Sequence, residues 1–179
     1  MNCSGLTSIT IPKSVTTIGD YVFSGCTELT SITIPKSVTT IGSSAFRDCS
    51  GLTEVNISDL SAWCKIYFES DYSNPLYYAN KLKLNGSEIK NLVIPNDITV
   101  IKKYAFLNCT GLTSVSIPNS VTTIGDYAFS GCTELTSITI PNSVTEIGYY
   151  AFHYCSLDSV TSYCMTPPTC GHGAFFGSH

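Results

Sequence analysis

The sequence predicts a right-handed, β-rich solenoid of about six to seven short coils with one inserted island, and three observations carry that reading. Cys3, Cys26 and Cys49 are 23 residues apart, and so are Cys109, Cys132 and Cys155. A fixed short period marks stacked units, none of which can bury its apolar face alone. Each cysteine opens the same phrase, Cys-x-x-Leu-x-x-Ile-x-Ile-Pro-x-x-Val-x-x-Ile-Gly-x-x-Ala-Phe. Residues 5–46 and 111–152 are nearly the same text, which points to duplication of a two-repeat block.

Residues 26–48 are the clean copy. Leu29, Ile32 and Ile34 follow the L-x-x-L-x-L spacing of a leucine-rich repeat. Ile32 and Ile34 alternate with Ser31 and Thr33, the period of a half-buried strand. Pro35 ends the strand because it cannot donate to a ladder. Val38 and Ile41 predict a second short extended piece, and Gly42 a turn. Ala45 and Phe46 predict a single helical turn whose ring plugs the core. The pattern recurs at Leu6, Ile9, Ile11, Val15, Ile18 and Phe23, and again at Ile89, Leu92, Ile94, Ile98, Ile101 and Phe106. Two further copies end at Phe129 and Phe152, and Leu157 and Val160 begin a degenerate last coil. We therefore expect one domain over 1–179, with regular repeats at 3–57 and 87–160, an irregular island at 58–86 and a degenerate coil at 155–179.

The island is one repeat that has gained 14 residues between Cys49 and Gly86, which holds the cysteine slot. It gathers Trp63, Tyr67, Phe68, Tyr72, Tyr77 and Tyr78. Lys81-Leu82-Lys83-Leu84 before Asn85-Gly86 predicts a strand entering a hairpin, with Ile89–Ile94 as its second strand.

The phrase Leu-Thr-Ser-Ile-Thr-Ile-Pro-x-Ser-Val-Thr-x-Ile-Gly-x-x-Ala-Phe resembles the BspA-type leucine-rich repeat family of bacterial surface proteins, over essentially the whole chain. The island's Leu-Ser-Ala-Trp-Cys-Lys-Ile and Thr166-Pro167-Pro168 resemble interrupting and closing segments of such arrays. The resemblance implies extracellular or cell-surface display, adhesion and a protein partner, such as a host extracellular or cell-surface protein. It carries over no catalytic motif and no cofactor.

Composition agrees with a binding surface and excludes other classes. Charged residues are only 12% and the formal net charge is -4, so the basic footprint of a nucleic-acid or anionic-membrane binder is missing. No apolar run is long enough to span a bilayer. The text enters its repeat at Met1-Asn2-Cys3 and stops just after an Ala-Phe pair, which predicts a segment of a longer chain. His153, His172 and His179 have no catalytic partner by motif, and neither G-x-S-x-G, H-E-x-x-H nor a P-loop is present. We expect no enzyme and no metal site.

The cysteine column admits buried free thiols, disulfides among Cys64, Cys164 and Cys170, or a metal site. Nine cysteines leave at least one unpaired within the chain. Outward strand positions form a polar double row at Ser8/Thr10, Ser31/Thr33, Glu54/Asn56, Ser114/Ser116 and Ser137/Thr139. That row is either a solvated β-surface, a recognition face, or a flat array for ordered water or ice. The island aromatics are either a local core or exposed anchors. The residues expected to meet a partner are Ser31, Thr33, Glu54, Asn56, Tyr72, Tyr77, Tyr78, Ser114 and Ser116. The competing reading is a structural spacer that displays another domain.

Overall fold

The computed structural model of the chain describes residues 3–178. Met1, Asn2 and His179 lie outside the described residues. The chain divides between Glu88 and Ile89 into two compact units.

In the first unit the strands are β1 (Thr17–Ile18), β2 (Ser31–Thr33), β3 (Thr40–Ile41) and β4 (Glu54–Ile57). They are followed by α1 (Leu60–Lys65), β5 (Tyr67–Phe68), a 3-10 turn at Asp71–Ser73, α2 (Leu76–Ala79), β6 (Leu82–Leu84) and β7 (Ser87–Glu88). Parallel pairing joins β1, β3 and β5 in one sheet, and β2, β4 and β6 in another. The second unit has β8 (Asn91–Val93), β9 (Val100–Ile101), β10 (Ser114–Ser116) and β11 (Thr123–Ile124). It continues with β12 (Ser137–Ile140), β13 (Glu146–Ile147), β14 (Ser159–Ser162) and β15 (Thr169–Cys170). Here β9, β11, β13 and β15 form one parallel sheet, while β8 pairs with β10 and β12 with β14. We number the coils so that β1 belongs to coil 1, β2 and β3 to coil 2, and so on to β14 and β15 in coil 7. The architecture is a β-solenoid of about seven turns.

Within a coil, each turn follows from the repeat. Ile32 and Ile34 point inward and are buried, while Thr33 is exposed. After the proline, the valine N–H donates to the proline carbonyl: Val38 to Pro35 at 3.0 Å, Val121 to Pro118 and Val144 to Pro141 at 3.1 Å. The glycine of the Ile-Gly pair permits close stacking, since a Cβ on Gly42 would lie 2.8 Å from the Asp20 nitrogen of the coil before.

The Ala-Phe segment differs from the expected helical turn. The chain makes consecutive i→i+3 turns, with Ala45 N–H donating to Gly42 O (3.3 Å), Arg47 to Ser44 (3.1 Å) and Cys49 to Phe46 (3.2 Å). Ser44 (φ 53) and Asp48 (φ 59) adopt left-handed backbone, which no α-helix can propagate through. The bonding runs between coils instead: Phe106 N–H donates to Ala128 O and Phe129 to Ala151 O, both at 2.8 Å. The rings stack as expected, Phe106 on Phe129 and Phe129 on Phe152, with centroids 5.4 Å apart. Burying each such ring contributes about 1.5–3 kcal/mol relative to leaving it in water.

The cysteines of the column are free thiols: Cys26, Cys49, Cys109, Cys132 and Cys155 are all buried. The Cys49 Sγ donates to Phe23 O (2.9 Å), Cys132 to Phe106 O (3.4 Å) and Cys155 to Phe129 O (3.1 Å). Each thiol thus caps a carbonyl of the preceding phenylalanine turn. Burial pushes the Cys49 thiol up to about 12 and Cys132 well above its ordinary value. Cys64, Cys164 and Cys170 are also unpaired, the first buried and the last exposed.

The island is built into the coil stack. Leu82 follows its partner Val55 by 27 residues, where Val55 follows its partner Ile32 by 23. Phe68 likewise pairs with Ile41, so the four extra residues fall between β4 and β5, where α1 stands. Asp59 caps α1, its carboxylate accepting from Ala62 N–H (2.9 Å). Trp63 (1% exposed) and Phe68 (0%) form its local core, edge to face at 5.4 Å. The hairpin expectation is corrected in one respect: β6 pairs antiparallel with Ser87–Glu88, Lys83 opposite Glu88. Asn85 (φ 51) and Gly86 (φ 84) form its two-residue turn, and that turn type makes the very next residues the partner strand. Residues 91–93 instead pair with β10.

Candidate functional site

Hydroxyl groups in this chain have two distinct fates. At the turns they are engaged. Ser37 Oγ donates to Val15 O (2.7 Å), Ser120 to Ile98 O (2.8 Å) and Ser143 to Val121 O (2.6 Å). Thr122 Oγ1 donates to Thr99 O (3.2 Å) and Thr145 to Thr122 O (3.3 Å). These are stitches between successive coils. On the strand face, among the described residues, the hydroxyls of Ser31, Thr33, Ser116, Ser137 and Thr139 make no such bond. Ser114 is the exception, donating to Asn91 Oδ1 at 2.7 Å. Each unit therefore presents a strand face of hydroxyls available to solvent.

In the first unit that face changes character. Glu54 stands beside Ser31 and Asn56 beside Thr33, with Lys83 the next neighbour of Asn56. Lys83 is ion-paired with Glu54, and Asn56 Nδ2 donates to Glu54 Oε1 (3.2 Å). The hydrogen bond from Lys83, reinforced by Asn56, holds the Glu54 carboxyl below its ordinary range. Glu54 and Asn56 are thus fixed in one half-buried arrangement.

The tyrosines form a cluster. Tyr72 and Tyr77 have ring centroids 4.5 Å apart, and Tyr77 and Tyr78 5.0 Å. All three are half-buried. The hydrogen bond between the Tyr77 and Tyr72 hydroxyls, then burial, raises Tyr77 to about 12. Arg47, the chain's single arginine, lies 5.9 Å over the Tyr72 ring and 3.6 Å from Asp48. α2, which carries Tyr77 and Tyr78, buries Leu76 and Ala79 and packs against β4.

Tyr78 also has a structural task. In regular coils the N–H of its contact slot donates to a backbone carbonyl one coil on, as Gly25 to Arg47 O and Gly131 to His153 O, both at 2.7 Å. At Asp48 the Tyr78 hydroxyl accepts that hydrogen bond instead (3.0 Å). The roles of Arg47 and Lys83 were missed in the sequence. The signal for Arg47 was its uniqueness; that for Lys83 was its place one strand beyond Asn56.

Among the described residues no group of His, Cys, Asp and Glu is arranged to hold a metal ion, and no helix is long and apolar enough to cross a membrane.

A coil stack with free thiols, aromatic plugs and a polar strand face defines a leucine-rich-repeat solenoid. The family description "BspA type Leucine rich repeat region (6 copies)" fits residues 1–83 and 80–178, so the chain belongs to that family. A leucine-rich repeat protein from Bacteroides ovatus is 29% identical with a TM-score of 0.61, over 98% of this chain and 48% of its own. A leucine rich cell surface protein from Faecalibacterium prausnitzii is 32% identical with a TM-score of 0.53, over 86% of this chain and 44% of its own. The chain spans about half the length of these solved structures. No curated protein matches it.

Proposed function

We propose that the chain is a non-catalytic protein-binding module displayed outside the cell, with adhesion as its task and its specificity in the third coil. One observation carries this reading: Tyr72, Tyr77 and Tyr78 cluster half-exposed beside the chain's single arginine. Tyrosine and arginine dominate interface energetics, each anchor being worth about 2 kcal/mol or more on truncation. The hydroxyl face of Ser31, Thr33, Ser114 and Ser116 supplies an extended polar contact but little to fix register, whereas Glu54 and Asn56 interrupt it beside α2. Surface display rests on the family and on the cell-surface description of the Faecalibacterium relative.

The test uses Tyr77→Ser with Arg47→Ser, leaving Tyr78 in place because it completes the fold. Binding would be measured against a panel of purified extracellular-matrix and epithelial-surface proteins. A loss of tenfold or more in affinity, with an unchanged melting curve, is expected. Undiminished binding by the folded double variant would remove the cluster from the interface.

A further inference from the structure

The strand column is interrupted at two joints, and the same sequence feature marks both. Coil 2 is zipped to coil 3, with Thr53 N–H donating to Thr30 O (2.9 Å), and coil 4 to coil 5, with Thr113 donating to Lys90 O (2.8 Å). Both upper coils carry glycine after the cysteine, Gly51 and Gly111. Gly51 lies so close to the coil before it that a Cβ would sit 2.2 Å from Thr27 O. Coils 2 and 6 carry Glu28 and Glu134 in that slot. A Cβ there forbids the same approach. Among the described residues, the corresponding strands are indeed unpaired: β2 has no partner on the coil 1 side, and β10 and β12 belong to separate sheets.

This is no fraying of an end. Coil 5 is paired to coil 4 through β8, yet its inward residues Val115 and Ile117 are half-exposed, while their counterparts Val55 and Ile57 are buried. Their equivalents in coil 1, Ile9 (38% exposed) and Ile11, behave alike. The second-strand sheets stay closed at both joints, Thr17 opposite Thr40 and Thr123 opposite Glu146. Each joint opens on the strand side only.

At the coil 1–coil 2 joint the opening is a groove of about 920 Å³, floored by Ile9, Ile11 and Ile34 and rimmed by Lys13 and Lys36. Both lysines are exposed and, among the described residues, have no ion-pair partner. Asp59, the acidic residue on the lining, is engaged as the α1 cap. At the second joint the lysine slots are Asn119 and Asn142.

We propose that the free edge of β2 and this groove form a docking site for an extended peptide that adds as a parallel strand, seats apolar side chains on Ile9, Ile11 and Ile34, and ends in carboxylates held by Lys13 and Lys36. Strand addition satisfies an open edge with main-chain bonds, and pockets for alternate side chains supply selectivity. Parallel addition follows the sense of β2 and β4, and brings the C-terminal end of the peptide to the Pro-Lys corner. The site is distinct from the tyrosine cluster.

The probe is a labelled Val/Thr hexapeptide ending in two glutamates, compared with the same peptide ending in two lysines, by fluorescence anisotropy on the full chain. The acidic peptide should bind and the basic one should not. Glu28→Gly, which restores the glycine of the zipped joints, should weaken binding at least tenfold while leaving circular dichroism unchanged. Lys13→Gln with Lys36→Gln should weaken it several-fold and flatten its salt dependence. Equal binding of both peptides, no binding of either, or full affinity in Glu28→Gly overturns the proposal. A concentration-dependent dimer abolished by Glu28→Gly would assign the edge to a second copy and likewise overturn it.

Discussion

The third coil and the fifth and sixth coils solve the same stacking problem with different residues. In coils 5 and 6 the solution is repetition: phenylalanine on phenylalanine, thiol to carbonyl, serine hydroxyl to carbonyl. In coil 3 a tryptophan and an edge-on phenylalanine fill the core, and a tyrosine hydroxyl takes the place of a backbone carbonyl. The difference teaches which parts of the repeat are obligatory. Parallel pairing of the inward residue is kept, Ile41 with Phe68 and Val55 with Leu82. The turn chemistry is free to vary, provided that every backbone donor left over finds an acceptor.

The comparison can be broken most strongly in the core. Phe129→Ala should destabilise the second unit by about 3–5 kcal/mol, because a stacked ring leaves a cavity that its two fixed neighbours cannot fill. Hydrogen exchange should show the loss centred on residues 109–155. Trp63→Ala should cost a similar amount, on the order of 3–5 kcal/mol. Its protection loss should centre on α1 and β5, since Trp63 packs on Phe68 of its own coil. An exchange change in Trp63→Ala spread evenly along the chain would erase the distinction between the two building schemes.

A smaller effect tests the substituted hydrogen bond. Tyr78→Phe should cost about 1 kcal/mol, the usual net worth of such a bond, measured by denaturant titration. The amide proton of Asp48 should exchange faster in that variant, while that of Gly131, which bonds to backbone, should not change.

The weakest effect is a pH dependence. The Cys49 thiol titrates near 12 in the fold against an ordinary 9.0, so the unfolded chain releases its proton first. Its contribution to stability is complete below pH 9 and is lost as the pH rises from 9 towards 12. Stability at pH 10.5 should therefore fall below that at pH 8, and Cys49→Ala should shrink the difference. Equal pH dependence in both chains would show that the thiol is not desolvated.

Much of this was legible because a repeat exposes its own grammar. The period, the inward leucines and isoleucines, the phenylalanine plugs and the thiol column all followed from side chains recurring in register. The placement of Trp63 and Phe68 in a local core was among the readings kept open, and burial decides it. What escaped was set by the backbone. The 14 extra residues divide into four at α1 and ten between Leu82 and Leu92, and only strand register reveals the division. The role of Tyr78 depends on an N–H that no side-chain pattern records. Glu28 and Glu134 were visible as departures from glycine, but their effect requires knowing how closely the coils approach. Of the candidate site, the tyrosines do come together and Glu54 and Asn56 do share an arrangement, whereas Ser114 is engaged by Asn91.

The pairing of each strand with the one before it, about 23 residues earlier, also governs how the chain acquires its shape. No strand has to wait for a remote partner, so the loop that must be closed is the same modest length at every step. Each coil becomes the template for the next, and ordering advances as a front along the chain. A polypeptide delivered end-first, from a ribosome or through a narrow pore, can fold in the order in which it arrives.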